Sequence, residues 1–233
     1  METDQHASDV PSIRTVSVHP DWIVCVKPVG PDAEKELPAL LSAELGGSFF
    51  PVHRLDRNVG GLMVFARSPA AAAALSRLIQ AGQLTKEYVL LCHGTLPAAE
   101  GRMTDLLFKD VRKNKVFVVD RPRAGVREAS LHYRVLRSPG ADRTLVRVRL
   151  ETGRSHQIRV QFASRACPLW GDHKYGARDA EKHPALFSCA LSFPWKGHPQ
   201  RFELLPDWAA PASQPDTGLE PEQSTIVTEV NQK

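Results

Sequence analysis

The stretch His53-Arg54-Leu55-Asp56-Arg57 sets one carboxylate, Asp56, between two arginines, Arg54 and Arg57. Cations beside a carboxylate favour its ionised form, and an ionised carboxylate can act as nucleophile, as base or as a fixed charge beside a developing cation. An Asp ahead of a turn more often satisfies backbone N–H groups, and surface arginines are mostly solvated, so the stretch alone does not define a site. A second cluster lies in Thr152-Gly153-Arg154-Ser155-His156-Gln157-Ile158-Arg159. Ser155 there can cap a helix with Ile158, Phe162 and Ala163 inward, which gathers Arg154, His156, Gln157 and Arg159 at a helix N-terminus, a ready anion site. The competing interpretation is an ordinary polar first turn. In a third segment, Gly171-Asp172-His173-Lys174-Tyr175-Gly176, His173 invites a metal reading. No second ligand stands at a typical spacing, so an exposed or structural histidine and no metal site are expected.

These clusters need elements to hold them. Val16 to Lys27 is strand material with a buried run at Trp22-Ile23-Val24-Cys25-Val26, stopped by Pro28-Val29-Gly30-Pro31. A short helix follows, with Leu37, Leu40, Leu41 and Leu45 on one stripe and Gly46-Gly47 as its stop. Leu62 to Ala66 is an apolar run bounded by glycines, the mark of a buried strand, so Asp56 should sit just outside a packed core. The glycines, Gly60 and Gly61, leave room for a ligand to approach the backbone. Ser68 caps the clearest helix of the chain, with Pro69 at its first position, Ala71, Ala74, Leu75, Leu78 and Ile79 on its buried face, and Gly82 as its left-handed end. Lys86 to Cys92 reads as a strand. After a basic loop come Leu131 to Val135 and Val146 to Leu150, the latter alternating apolar residues with Arg147 and Arg149 as half-buried antiparallel strands do. Phe187–Phe193 and Gln200–Leu205 form a late strand pair. Many strands, few helices and short connections give an α+β fold with a mainly antiparallel sheet.

The chain of 233 residues, 42% of them hydrophobic, can bury a substantial core as one domain. Residues 1–15 are expected to be a flexible leader, 16–208 the folded domain and 209–233 a disordered polar tail. The ends are acidic, −2 over residues 1–19 and −4 over residues 206–233, so residues 20–205 hold +10 of the net +4. Such an excess favours a polyanion, nucleic acid first. The four cysteines are scattered without C-x-x-C spacing, which argues against disulfides and zinc and for the reducing cytoplasm. No signal-peptide h-region and no run of membrane-spanning length is present. Without heptads a coiled-coil dimer is not expected, and a monomer is.

Taken in order, His53-Arg54-Leu55-Asp56-Arg57, Lys86-x-Tyr88, Thr152-Gly153-Arg154-Ser155-His156-Gln157-Ile158-Arg159 and Gly171-Asp172-x-x-Tyr175-Gly176 resemble the RluA-type pseudouridine synthase family over about residues 16 to 206. Any one of these motifs is unspecific, but four in order are not. The resemblance implies an extended, mixed but mainly antiparallel sheet with a central RNA-binding cleft. It also implies isomerisation of uridine to pseudouridine in RNA with neither metal nor organic cofactor. By motif position Asp56 matches the catalytic aspartate, Tyr88 the active-site tyrosine and Arg159 the basic residue that pairs with the aspartate. Arg54 matches an arginine associated with rearranging RNA around the target nucleotide. Arg54, Arg57, Arg154, His156 and Gln157 are the expected RNA-binding set, with Arg147 and Arg149 as further phosphate contacts.

The chain departs from the family pattern in three ways. Val59-Gly60-Gly61 replaces Thr-Ser-Gly, and Ala166-Cys167-Pro168 replaces Gly-His-Pro. The leader is too short for the N-terminal S4-type domain of many relatives, so recognition is expected from the catalytic domain or a partner. Ribosomal and transfer RNA both remain open as targets. A noncatalytic RNA-binding or RNA-folding protein that keeps the cleft is the alternative, although a binder has no need of the Asp56–Tyr88–Arg159 set. A hydrolase lacks its second acid and its ligand cluster.

Overall fold

A computed structural model describes residues 13–140 and 142–210. The chain opens with a hairpin, β1 (Thr15–Val18) and β2 (Trp22–Lys27), so the expected single stretch of strand turns back on itself at His19–Asp21. Helix α1 (Glu36–Leu45) and the short β3 (Phe50–Pro51) precede β4 (Gly60–Ala66). Helix α2 (Pro69–Gln80) leads to β5 (Thr85–His93), then β6 (Glu100–Asp110), β7 (Lys115–Val119), β8 (Val126–Arg137) and β9 (Arg143–Leu150). Helix α3 (Gln157–Ala163), a 3-10 turn at His173–Tyr175, β10 (Leu186–Trp195), β11 (His198–Glu203) and a last 3-10 turn at Asp207–Ala209 complete the order. The eleven strands make one sheet in the order β1-β2-β4-β10-β5-β9-β8-β6-β7, with β3 on β4 and β11 on β10. Only β4 and β10 run parallel, so the α+β, mixed but mainly antiparallel expectation stands.

Each local element has a local cause. The Ser68 hydroxyl accepts the Ala71 N–H at 3.1 Å and Pro69 opens α2, whose Ala71 and Leu75 are buried against β4. Trp22 and Val24 of β2 face α2, while Ile23 and Cys25 face α1 and its buried Leu37 and Leu41. With both faces covered, β4 is buried at every position, which is why it reads as an unbroken apolar run. In the other half of the sheet the faces differ. Tyr88, Leu131, Tyr133, Val146 and Val148 pack on Ile158 and Phe162 of α3, while Arg147 is half-buried and Arg149 exposed on the reverse side.

Three expectations change. The basic loop before β8 is in fact the long hairpin β6–β7, whose Leu107 and Val116 pack on Val160 of α3 and Tyr175. The glycines before the β4 run do not open the backbone to a ligand. Gly61, at φ +124, lies where a Cβ would come within 2.4 Å of the Ser188 N of β10, so the neighbouring strand fills that space. The folded unit also reaches past the expected 16–208. Ile13 is buried, Thr15 lies in β1, and Ala209 packs on Val89, Leu145 and Cys189. The rest of the expected leader and tail, residues 1–12 and 211–233, lies outside the described residues.

Candidate active site

The turn that carries Asp56 is closed by its own backbone, Val59 N–H donating to Asp56 O at 3.0 Å. The carboxylate is therefore not spent on backbone amides, the ordinary use of an Asp ahead of a turn. Beneath the turn lies Lys27, fully buried at the end of β2. Its Nζ donates to Pro28 O (2.9 Å), Val59 O (3.0 Å) and Arg57 O (3.2 Å). Three donors meet three carbonyls, which is how an ammonium can be buried at all. Burial lowers the Lys27 pKa to about 8, with the Asp56 charge opposing that shift. In sequence this residue is a lone lysine closing an apolar run before proline, a position whose role shows only in the fold.

Neither flanking arginine contacts the Asp56 carboxylate. Arg54 reaches Glu34 at 2.7 Å, and Arg57 turns away to Glu36 and Asp32 near the start of α1. The cation that meets Asp56 comes from α3. Arg159 Nη1 donates to Asp56 Oδ2 at 3.0 Å and, weakly, to Asn58 Oδ1 at 3.4 Å. The other edge of the guanidinium is taken side-on by Asp172, with Nε to Oδ2 at 2.7 Å and Nη2 to Oδ1 at 2.8 Å. Arg159 is 3% exposed and Asp172 1%, so this fork is fixed and shielded from solvent.

Asp172, like Lys27, takes its role only from the fold. Its loop is set by Gly171 at φ +78, where a Cβ would meet His183 O at 2.0 Å, and by Asp179 accepting the Gly171 N–H. His93 anchors Asp179 in turn, Nε2 to Oδ2 at 2.8 Å, and stacks on Trp170 with ring centroids 4.4 Å apart. His173 is exposed and its two ring nitrogens lie on the carbonyls of Ala177 and Glu181, a structural histidine as expected.

Helix α3 begins differently from expectation. Ser155 does not cap it; His156 does, at φ 49, without a side-chain cap bond. That left-handed backbone turns the imidazole toward the carboxylate, Nε2 lying 3.7 Å from Asp56 Oδ2. The Gln157 amide is consumed internally: it accepts from Thr152 Oγ1 and Arg154 N and donates to Ser130 O. It holds the Thr152–Arg154 turn and has little left for a phosphate, against the expected RNA contact. At this helix start the Gln157 N–H is likewise taken, by Arg154 O at 3.2 Å.

Asp56, Tyr88, Arg159, Arg54, Arg154, His156 and Gln157 line one cleft, with Leu55, Val59, Leu150, Ile158 and Leu186 as its apolar wall. Arg57 is not among them, and Arg147 and Arg149 are on the reverse face, where Arg147 pairs with Glu87 and Glu203. The enclosed volume, about 60 Å³, is far below the roughly 300 Å³ of an ordinary ligand pocket, so a ligand of that size would need the rim side chains to move. Arg54 is suited to moving, because its bond to Glu34 is a surface pair of little net energy. A concavity of about 740 Å³ lies on the reverse face, away from Asp56. Its size does not make it the site, because it lacks a carboxylate held apart from its neighbours.

Tyr88 stands on β5 opposite Val148, and its hydroxyl has no protein hydrogen-bond partner among the described residues. Burial, and then the Asp56 charge, push its pKa well above the usual range, so the phenol keeps its proton. It can stack, donate and accept, but it is no resting phenolate. Lys86, one turn of the pleat earlier, lies between His53 and Gly153 with burial lowering its pKa and no ion-pair partner among the described residues. Val59, where the family carries a hydroxyl, gives the cleft an apolar contact instead.

Comparison with known proteins places the fold and the family. A family described as RNA pseudouridylate synthase matches residues 20–164, and the chain belongs to that family. It is 38% identical over 175 residues to ribosomal large subunit pseudouridine synthase D of Pasteurella multocida, covering 69% of this chain and 51% of that protein. It is 39% identical over 127 residues to the protein of the same name from Yersinia pestis, covering 54% of this chain and 38% of that one. The chain thus spans about half the length, or less, of these curated relatives. Human RNA pseudouridylate synthase domain containing 1 superposes with a TM-score of 0.75 over 88% of this chain and 86% of its own, at 21% identity. The domain-containing 4 protein does so at 0.70 over 84% and 90%, at 22% identity. The fold is the pseudouridine synthase fold. Among the described residues no helix is long and apolar enough to cross a membrane.

Proposed function

We propose that the chain isomerises uridine to pseudouridine in structured RNA, with ribosomal RNA the first substrate to test and transfer RNA the second. The observation that carries this is the Asp56 carboxylate at the cleft, bonded by Arg159 and facing Tyr88. The reaction breaks N1–C1′, turns the uracil and joins C5 to C1′; the C5 proton leaves and N1 regains one. Detachment leaves oxocarbenium character on the sugar and negative charge on the base. Asp56 acts on the sugar, as nucleophile or base, and Arg159 keeps it oriented. Tyr88 gives the extruded base a platform and a hydrogen-bonding hydroxyl where the C5 proton departs. Arg54 and Arg154 contact phosphates at the rim and offset the few kcal/mol of flipping the base. The family relationship supports this chemistry, and the names of the Pasteurella and Yersinia relatives favour ribosomal RNA.

Tritium release from C5-labelled uridine in ribosomal and transfer RNA transcripts tests the activity, and pseudouridine mapping with and without the gene identifies the substrate. Absence of release from every RNA, with the RNA still bound, would favour the noncatalytic RNA-binding alternative. EDTA should leave turnover unchanged on an RNA whose own fold needs no Mg²⁺. Loss of turnover restored by Zn²⁺ would contradict the cofactor-free reaction.

A further inference from the structure

The hydroxyl of Tyr175 is committed on both sides. It accepts the Val116 N–H of β7 at 2.9 Å and lies 2.8 Å from His156 Nδ1. A backbone N–H can only donate, and among the described residues Nδ1 is the one acceptor within reach of the phenolic proton, so that proton is assigned to Nδ1, which is then the bare nitrogen. Burial pushes the Tyr175 pKa up to about 12, so that proton stays in place. A neutral imidazole with a bare Nδ1 carries its proton on Nε2. Nε2 lies 3.7 Å from Asp56 Oδ2, beyond hydrogen-bond length, while Arg159 Nη1 bonds that same oxygen at 3.0 Å. Arg159 bonds that oxygen and His156 approaches it, and Oδ1 has no protein partner among the described residues.

We propose that Tyr175 and His156 are positioning residues that fix the rotation of the Asp56 carboxylate and so present Oδ1 to the ribose. Tyr175 selects the His156 tautomer, and the His156 N–H, closing in from 3.7 Å, joins Arg159 in holding Oδ2. This rests on the reaction proposed above. The geometry restrains each member. The Tyr175 ring lies 5.2 Å from Lys115 Nζ and 5.2 Å from the Arg159 guanidinium carbon, and meets the His156 ring edge-on at 5.7 Å. Backbone at φ 49, unusual for a residue with a Cβ, is what aims the imidazole at the carboxylate. Because the hydroxyl also takes the Val116 N–H, the tautomer depends on where the β6–β7 hairpin sits. That hairpin exposes Arg112 and Lys113 at its tip, so an RNA strand drawn to it would act on the same hydroxyl.

The test separates this role from a phosphate contact and from the activity itself. In ¹⁵N-histidine-labelled wild-type protein, His156 should carry its proton on Nε2, and in Tyr175→Phe it should become a mixture of tautomers or move to Nδ1. Tyr175→Phe should lower kcat about tenfold, the upper range for one hydrogen bond, with RNA affinity little changed. Because that variant leaves the Val116 N–H without a partner, His156→Gln and His156→Asn serve as a second pair. Gln can place an amide N–H where Nε2 stood, whereas Asn can keep an acceptor for Tyr175 but offers Asp56 nothing. His156→Gln should therefore retain clearly more kcat than His156→Asn at equal RNA affinity. A wild-type His156 protonated on Nδ1 would overturn the proposal. So would active wild type with both His156 variants at full kcat, or with both losing only affinity. If no RNA releases tritium even from wild type, the reaction proposed for this site fails, while the tautomer measurement still decides whether Tyr175 sets His156.

Discussion

Strands β5 and β9 present two faces with opposite electrostatic habits. On one, Tyr88 and Val148 look toward the Asp56 carboxylate, whose cation, Arg159, is buried and forked onto Asp172. On the other, Glu87, Arg147, Arg201 and Glu203 share one another at the surface, and Arg149 lines the same concavity. The reverse face is more conspicuous in sequence, since Val146-Arg147-Val148-Arg149-Leu150 is a visible stripe. The cleft is assembled from residues far apart in the chain, Asp56 and Arg159 lying 103 positions from each other. Many mutually paired charges in water are worth little each, whereas a few buried ones cannot lose a partner cheaply. Abundance of charge therefore says where a polyanion can be attracted, and scarcity with burial says where chemistry can be held.

That contrast predicts a graded series of effects. Arg159→Met should be the most damaging, because it leaves Asp172 buried without its cation. A loss of about 3–5 kcal/mol is expected by denaturant unfolding, together with loss of turnover. If the variant is nearly as stable as wild type, the fork is not the buried pair described. Lys27→Met comes next: three carbonyls lose their donor, for about 1–3 kcal/mol of stability. Turnover should fall further than RNA affinity as the 56–59 turn loosens, so equal losses in both would contradict its role beneath that turn. Tyr88→Phe should be near neutral for stability, since its hydroxyl bonds no protein group, yet lose most turnover while keeping RNA binding. Wild-type rates would make Tyr88 a core strand tyrosine and nothing more. Arg149→Gln should be the mildest, within about 1 kcal/mol in stability and with kcat unchanged. A large fall in kcat would mean that the reverse face takes part in the reaction.

How much of this could be read beforehand follows the same division. Helix α2 was legible because its causes are local: a capping Ser68, Pro69, an apolar stripe and Gly82. The β4 strand was legible because burial on both faces leaves an unbroken run. The β6–β7 hairpin was not, because only scattered residues such as Met103, Leu107 and Val116 are buried, against a helix and a tyrosine that come much later. For the site, motif order named Asp56, Tyr88 and Arg159, and the structure brings those three together. Proximity in sequence misled for Arg57, which flanks Asp56 but turns to α1, and for Gln157, whose amide holds its own turn. Asp172 carries no local mark of its role, and the lysine that closes the apolar run at Lys27 marks a position but not a task, since what each does depends on a group it meets only after folding.

The central claim, that a single clamped carboxylate carries the chemistry of this cleft, is tested most directly by Asp56→Asn. The substitution removes a charge and almost no volume, and Asn can still accept the Arg159 hydrogen bond. A folded Asp56→Asn protein should release no tritium from C5-labelled uridine in a substrate RNA on which wild type turns over, with RNA affinity close to wild type. Substantial release by that folded variant would contradict the account.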